Sequence, residues 1–579
     1  MKIQSKLSWK EKIGFHKLKN CKKCGTNFEI LDEDITFYDK ISPTFNWTKY
    51  NIPTPTLCPE CRQQRRYSFL NERKLYKNKC AITGKPLITV YSPEKPYIIY
   101  HKDEWDSDRW DALDYGQDFN FSKTFAEQFD KLMKKVPRPH NLSMENENSE
   151  YAYSWFCKNC YLFFVWAYCE SCYYSEYTIN CSYCVDCNDL HESENCYQCM
   201  ESIKLYKCIE LQKSENCNNC SFGFNLQNCK NCLFCYNLNN KEYCIENKQY
   251  SKEDYEEFIE EADLWNHQNY LQALEKFENM KEKFIVKNLN LINCENCLWD
   301  NLKNCKNIQH AYWWTDSEDC KFSYMCNYNN DCYDTSSYKS NHCYEMMSGW
   351  PNLKNCMFGF DLGDNVDNTY YCNFCYNSSH LFWCIWLKHK KYCIFNKQYT
   401  KEEYEILVPK IIEHMKTTWE WGEFFPSNIS PFGYNETVAM EYFPMERKDA
   451  IKRKYKWMDA EYPINIPDGM AKIESIYLVD LDCFTPEIEK EIANSAIICE
   501  ESWKPYRITE QELEFYKKQK IPLPRKHHDI RYQNRIAKRT EKKLYNRQCD
   551  KCEIDIISTY PSDSSKTVYC QNCYSKEIY

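Results

Sequence analysis

CNNCSFGFNLQNCKNCLFCYNLNNKEYC, residues 217–244, belongs to a longer stretch whose cysteine spacing decides how the chain is read. From Cys160 onward a cysteine recurs every twelve residues, at Cys172, Cys184, Cys196, Cys208, Cys220, Cys232 and Cys244. Satellite rows keep the same step, Cys157, Cys169, Cys181, Cys217 and Cys229 three residues before, Cys187, Cys199 and Cys235 three after. A fixed short period means stacked structural repeats. In an α-helix twelve residues advance by about 1200°, so these cysteines would form no stripe. The fold expected is mainly β, a parallel β-solenoid with one twelve-residue coil per repeat, each coil two short extended segments joined by tight turns. Asn precedes Cys160, Cys181, Cys196, Cys217, Cys220, Cys229 and Cys232, and Asn tolerates the left-handed backbone that sharp corners need. At about 4.8 Å per coil the row would be a ladder of about 34 Å.

Three readings of the row are open. Free cysteine is a small hydrophobe that suits a narrow interior. CxxC pairs on adjacent coils, such as Cys229/Cys232 beside Cys217/Cys220, could instead supply four thiolates to a metal. Disulfides are the third. Packing is the reading we favour.

The chain of 579 residues has room for several domains and carries 39 cysteines. The lysine-rich start, MKIQSKLSWKEKIGFHKLKN, is followed by no apolar core, and no run approaches the roughly 20 apolar residues of a membrane span. A reducing cytoplasm is therefore expected, where cysteine clusters bind metal more often than they form disulfides. With 11 glycines there is no GxGxxG and no GxxxxGK[ST] loop. The net charge of −9 is uneven. Residues 1–79 hold 17 Lys+Arg against 8 Asp+Glu and residues 503–548 hold 14 against 5, +9 each, so the remainder is near −27.

Outside the row, Cys21-Lys-Lys-Cys24-Gly25 and Cys58-Pro-Glu-Cys61 form two CxxC knuckles, the signature of a closed structural zinc site with four thiolates (Cys21, Cys24, Cys58, Cys61). NERKLYKNKCAITGKPLITVYSPEKPYIIYHKDEW, from residue 71, aligns without a gap on TEKKLYNRQCDKCEIDIISTYPSDSSKTVYCQNCY, from residue 540. The C-terminal copy has a complete set, Cys549, Cys552, Cys570 and Cys573, and a second zinc ion is expected there. The N-terminal copy has Cys80, Thr83, His101 and Glu104 at those places, which leaves a Cys80/His101/Glu104 site conceivable. Upstream, CEESWKPYRITEQELEFY from Cys499 echoes CKKCGTNFEILDEDITFY from Cys21, with Ser502, His527 and Ile530 at the positions of Cys24, Cys58 and Cys61. Each end thus carries a two-ribbon unit that has lost a different half.

The expected segments are a zinc ribbon (1–66), a degenerate ribbon (67–110), a capping helix and linker (111–149), and a first solenoid block (150–250). A helix (251–287), a second, less regular block (288–398), a helix with an aromatic linker (399–494), a degenerate ribbon (495–545) and a zinc ribbon (546–579) follow. Phe121, Phe125, Phe129 and Leu132 have helical spacing and read as a cap on the open first coil. CIENKQYSKEDYEE from Cys244 recurs as CIFNKQYTKEEYEI from Cys393, where Ser or Thr before acidic residues marks a helix start at the end of each block. In the second block 294 to 305 is eleven and 343 to 356 thirteen, so bulges are expected. Cys483 has no partner in the pattern and reads as buried.

The first knuckle pair, with Phe28, Phe37-Tyr38, Pro55 and CPECR, resembles a family of short zinc-ribbon proteins. Over nearly the whole chain the phrases CPECRQQRR, NERKLY, YSPEKPY, KVPRP, NKQYSKE, EWGEFFP, SPFGYNETVA, PLPRKHHD and the terminal CxxCY resemble a family of large cysteine-rich bacterial proteins. Some of its members are labelled class III CoA-transferases. That fold is a large α/β structure with Gly-rich turns, and this chain has neither the pattern nor the glycines, so the resemblance implies architecture and no activity.

Three functions compete. A protein-interaction scaffold would dock its partner on the aromatic flank of the solenoid, given 48 Tyr and 17 Trp. A nucleic-acid binder, for structured RNA above all, would use Arg62, Arg65, Arg66, Arg73, Lys74, Arg531, Arg535, Lys538 and Arg539 on phosphates; the plainer alternative is that these charges line a solvated helix face or pair with the acidic middle. A metal-thiolate or redox protein, or another enzyme, is third. No catalytic residue and no small-molecule substrate emerges, because the twelve histidines are dispersed apart from His527-His528.

Overall fold

The computed structural model describes residues 17–306, 314–315, 333, 344–349, 357–363, 365–462, 466–541 and 543–578. Helix and strand are nearly equal in amount, 27% and 26%, but the strands set the architecture, with one sheet of eleven strands and many small ones. The chain divides into two compact units. One joins Met1–His140 to Leu289–Asp459, the other Asn141–Asn288 to Ala460–Tyr579. Each terminal segment therefore belongs with the block that is not its neighbour in sequence.

In the second of these units, residues 152–245 form a parallel stack. Strand residues pair twelve apart, as Glu176 with Asn188, Asn188 with Met200 and Met200 with Gln212. Backbone N–H and C=O groups are used between coils: Lys158 N donates to Cys169 O and Ser171 N to Lys158 O, both at 2.9 Å. The strand Met200–Tyr206 pairs through Met200 with Ile209–Gln212 and through Ile203–Tyr206 with Glu215–Asn218. Ser221–Phe224 and Lys230–Leu233 complete a closed ring of five parallel strands.

Beneath the twelve-residue row lies a shorter rule. From Phe156 to Glu246 every third residue is left-handed, with φ between 47° and 59°. Twelve residues with a corner every third make four three-residue sides per coil, where two longer segments were expected. All seven asparagines noted before cysteines occupy such corners. The residue after nearly every corner points inward, Lys241 being an exposed exception. Cys172, Ser175, Thr178, Cys181, Cys184, Cys187 and Leu190 are successive examples, all within 2% of full burial. One inner position is Gly223, where a Cβ would come within 2.6 Å of Leu226 Cδ1, so glycine makes room for the larger inner leucines. Left-handed L-residues cost roughly 1 kcal/mol each or more. Ladders along the corners offset this: Asn216 donates to Asn228 (2.8 Å) and Asn219 to Asn231 (2.7 Å), and Phe222 stacks on Phe234 at 5.3 Å.

Both stacks end alike. Glu246-Asn247 and Phe395-Asn396 are two-residue turns with both φ values positive, the type I′ geometry that reverses a strand. The Asn247 amide bonds both the N–H and the C=O of Tyr236 at 2.9 Å, and Asn396 does the same for Ile385 at 2.8 and 2.9 Å. The side chain stands in for the peptide of a missing next coil. Ser251 and Thr400 then cap helices at Lys252 and Lys401 as expected. The first helix breaks at left-handed Asp263, giving Lys252–Ala262 and His267–Lys281 where one helix was expected.

In the other unit the second stack repeats the three-residue rule from Asn365 to Phe395. The irregular steps lie where expected: Leu291 pairs with Leu302 eleven residues on, and Met347 with Phe360 thirteen on. Cys343 and Cys356 themselves lie outside the described residues. The helix Phe125–Lys135 packs on this second stack, both Phe125 and Phe129 against Trp383. It is thus a side brace of the second block, where a cap on the first coil of the first block was expected; Phe121 precedes the helix and is half exposed. Cys483 is exposed, contrary to expectation, because its short turn carries no buried side chain.

Candidate metal centres and their hairpins

Four hairpins share one frame. Their strands are Lys17–Asn20 with Asn27–Ile30, Tyr76–Lys79 with Pro86–Thr89, Ala496–Ile498 with Pro505–Tyr506, and Tyr545–Gln548 with Asp555–Ser558. In each the first ligand-position cysteine opens a tight turn whose fifth residue is left-handed: Gly25 (78°), Gly84 (69°), Trp503 (58°) and Glu553 (59°). That residue donates its N–H back to the cysteine carbonyl at 2.9, 2.8, 3.1 and 2.9 Å. In each the third ligand position, Cys58, His101, His527 or Cys570, immediately precedes a helix. Its own N–H reaches the first sulfur, from His101 to Cys80 at 3.3 Å, His527 to Cys499 at 3.1 Å and Cys570 to Cys549 at 3.2 Å. The ungapped duplication read from sequence is therefore a structural one.

Two hairpins complete a ligand set. Cys21, Cys24, Cys58 and Cys61 bring their sulfurs within 4.8 Å of one another, and so do Cys549, Cys552, Cys570 and Cys573. Cys24 and Cys58 are 3.6 Å apart, Cys552 and Cys570 3.8 Å. A tetrahedral ion at about 2.3 Å from each sulfur requires about 3.8 Å between them, so both groups can hold a metal ion. Burial would raise the Cys549 thiol, but the N–H groups of Cys570, Cys552 and Lys551 pull it down to about 6. Cys58 is drawn down to about 5, chiefly by the neighbouring Cys61 side chain. These donors favour thiolate at Cys58 and Cys549, the form that binds metal, while the adjoining sulfurs push Cys61 and Cys573 up.

The other two hairpins differ. Glu104 is ion-paired with Arg109, and His101 is half exposed with Nδ1 accepting the N–H of Asp103. Cys80, His101 and Glu104 are not brought together as a ligand group. In the third hairpin Cys499 and His527 are buried, and His527, His528 and Asp529 offer ligand atoms within 4.8 Å of one another.

The row cysteines are used differently. Cys184 Sγ donates to Ser182 O at 3.3 Å and faces Ser193 O at 3.7 Å; Cys208 Sγ donates to Tyr206 O (3.4 Å) and Cys217 O (3.6 Å). The pattern, a carbonyl two residues back and another nine ahead, recurs down the stack, as at Cys181 and Cys217. Burial pushes the Cys208 thiol up to about 12, and Cys172, Cys184 and Cys196 well above the ordinary range, whereas adjoining sulfurs draw Cys181 down to about 5 and Cys217 to about 4.

The basic residues assigned to phosphates are mostly interior. Arg62, Arg65, Arg66, Arg531 and Arg535 are buried. Arg65 bonds Glu345 at 2.7 Å and Glu423 at 3.0 Å; Arg531 and Arg535 meet Asp186 at 2.8 and 2.7 Å. Lys538 pairs with Glu210 and Glu278, and Arg539 with Asp189. A guanidinium committed to a buried carboxylate is withheld from phosphate, and Arg62, Arg65, Arg531, Arg535, Lys538 and Arg539 each meet a carboxylate remote in sequence. Arg73 is half-buried and Lys74 exposed. Asp186 is a left-handed corner of the row ending at Glu246, a signal hidden by the long sequence separation from Arg531 and Arg535.

Among the described residues no helix is long and apolar enough to cross a membrane. No family model, curated protein or solved structure matches the chain.

Proposed function

We propose that the protein is a non-enzymatic, zinc-binding interaction scaffold, two β-solenoid blocks each fastened to a zinc-ribbon module, of the large cysteine-rich bacterial kind its phrases resemble. The observation that carries this reading is the use of its charged and thiol groups. Arg62, Arg65, Arg531 and Arg535 are spent on internal carboxylates, and the row thiols on backbone carbonyls. Exposed on the first stack, among lysines, glutamates and asparagines, are several aromatics: Phe156 and Tyr168 stack at 5.1 Å on adjacent coils, and Tyr183 and Tyr206 are also open. Aromatic side chains with a polar tip favour protein recognition.

Zinc fits the two four-cysteine groups because tetrahedral thiolate sets select it. The test is metal content of the full chain, purified under reducing conditions, with affinity capture before and after Phe156→Ala/Tyr168→Ala. Zinc at the two sites and a protein lost from capture by the double variant are expected. Salt-sensitive RNA binding, with a log–log slope worth several phosphates, would overturn the scaffold reading in favour of a nucleic-acid function.

A further inference from the structure

The third hairpin retains more than its sequence suggests. Cys499, Ser502 and His527 stand at the first, second and third ligand positions of the frame that converges four sulfurs in the fourth hairpin. Cys499 is fully buried, and its sulfur accepts the N–H groups of His527 (3.1 Å) and Ser502 (3.4 Å), as a metal-bound thiolate does. His527 is only 2% exposed, yet its Nε2 is buried without a hydrogen-bond partner. An orphaned buried polar atom is costly and calls for a ligand. His527 Nδ1 accepts the backbone N–H of Asp529 at 3.1 Å, and the Asp529 carboxylate stands 3.8 Å from the same nitrogen. That is the place of the outer carboxylate which orients many metal-bound imidazoles.

We propose that this hairpin is a third metal site, in which Cys499 and His527 bind a zinc ion, Ser502 or water fills the open positions, and Asp529 orients the imidazole. The proposal rests on the zinc reading of the two intact hairpins, whose frame it borrows. On binding, the Cys499 thiol proton leaves to solvent, and the imidazole proton moves from Nε2 to Nδ1, which gives up the cap bond it accepts from Asp529 N (3.1 Å) and donates to the Asp529 carboxylate instead. With one thiolate and one imidazole the site is weaker than its four-thiolate relatives. The second hairpin does not qualify, since its His101 is half exposed and its Glu104 is engaged by Arg109.

The test is zinc titration of the full chain, followed by stepwise chelation and cobalt substitution. Three equivalents are expected, one of them released at chelator concentrations at least tenfold lower than the others. Cobalt in that site should show weaker thiolate charge-transfer absorption than cobalt bound by four sulfurs. Cys499→Ser and His527→Asn, the second keeping an oxygen for the helix cap, should each remove only the weak equivalent. Two equivalents in the wild type under excess zinc would overturn the proposal, as would a third that survives both variants. No zinc at all would overturn the parent reading instead. Should the variants fail to fold, the wild-type cobalt spectrum decides, because three identical four-sulfur signatures exclude a Cys–His site.

Discussion

Two populations of cysteine share the CxxC spacing and use it in opposite ways. In the intact hairpins sulfur is an acceptor, taking backbone N–H groups, as Cys549 does from Cys570. In the stacks it is chiefly a donor, as Cys208 is to Tyr206 O and Cys217 O, although Cys169, Cys235 and Cys372 also accept an N–H twelve residues on. An N–H donor stabilises thiolate and so metal binding; a carbonyl acceptor needs the proton on sulfur and so excludes it. The spacing has two origins as well. In the hairpin it is the pitch of a tight turn, and in the stack it is one side of a four-sided coil.

The largest effect expected from this contrast comes from Cys549→Ser or Cys21→Ser. Each should lose one metal equivalent and the fold of its hairpin, because structural zinc contributes roughly 10–16 kcal/mol to small sites. Metal analysis with hydrogen exchange of the affected strands would read both. A variant with full metal content would break the division between the two populations.

Next in size is the joint between hairpin module and stack. Asp186 is fully buried between Arg531 and Arg535. Asp186→Ala leaves two guanidinium groups without their buried carboxylate, at a cost of about 3–5 kcal/mol, read as a lower midpoint in urea. Metal content should not change, since no hairpin sulfur touches this pair. A fall in metal would mean that docking and metal binding are one event.

Beside that joint lies Glu512, fully buried, with Oε2 accepting from Tyr174 OH at 3.2 Å and from Thr509 N at 3.0 Å. Burial lifts its carboxyl to about 7 from the ordinary 4.5. Since the folded state holds this proton more tightly, its contribution is complete below about pH 4.5 and is lost as pH rises to about 7. The loss amounts to about 3 kcal/mol. Glu512→Gln should therefore be the more stable protein at pH 8 and differ little at pH 4.5. Thermal melts at the two pH values check this, and an unchanged difference would place the charge elsewhere.

Much of this was legible in the residues. The period of twelve, the left-handed asparagines, the two four-cysteine sets, the ungapped duplication and both stack ends follow from local chemistry, which sequence carries directly. The three-residue rule was not read, because inner positions also accept Ser175, Thr178, Leu190 and Gly223, so only the cysteines stood out. The Arg531–Asp186 joint was missed for another reason. A basic helix that docks inward and one that faces phosphate have the same sequence, and only the carboxylate hundreds of residues away tells them apart. For the same reason the pairing of each terminal module with the stack remote in sequence could not be seen.

The smallest effect is the most discriminating. Cys208→Ser makes the same substitution as Cys549→Ser, but at an inner position of the kind that serine fills in a neighbouring row. Ser202 Oγ donates to Met200 O at 2.8 Å and accepts Ser214 N at 3.0 Å, the same carbonyl two residues back that Cys208 uses on Tyr206. The new hydroxyl therefore has its partner ready, and the cost should stay near 1 kcal/mol, the net value of one exchanged hydrogen bond and slightly poorer packing. Cys208→Leu, by contrast, overfills a site with no room and should cost about 1–3 kcal/mol. Neither should alter the metal content. If Cys208→Ser removed an equivalent of metal, the row would be a ligand set after all, and the donor geometry of its thiols would describe only the metal-free state.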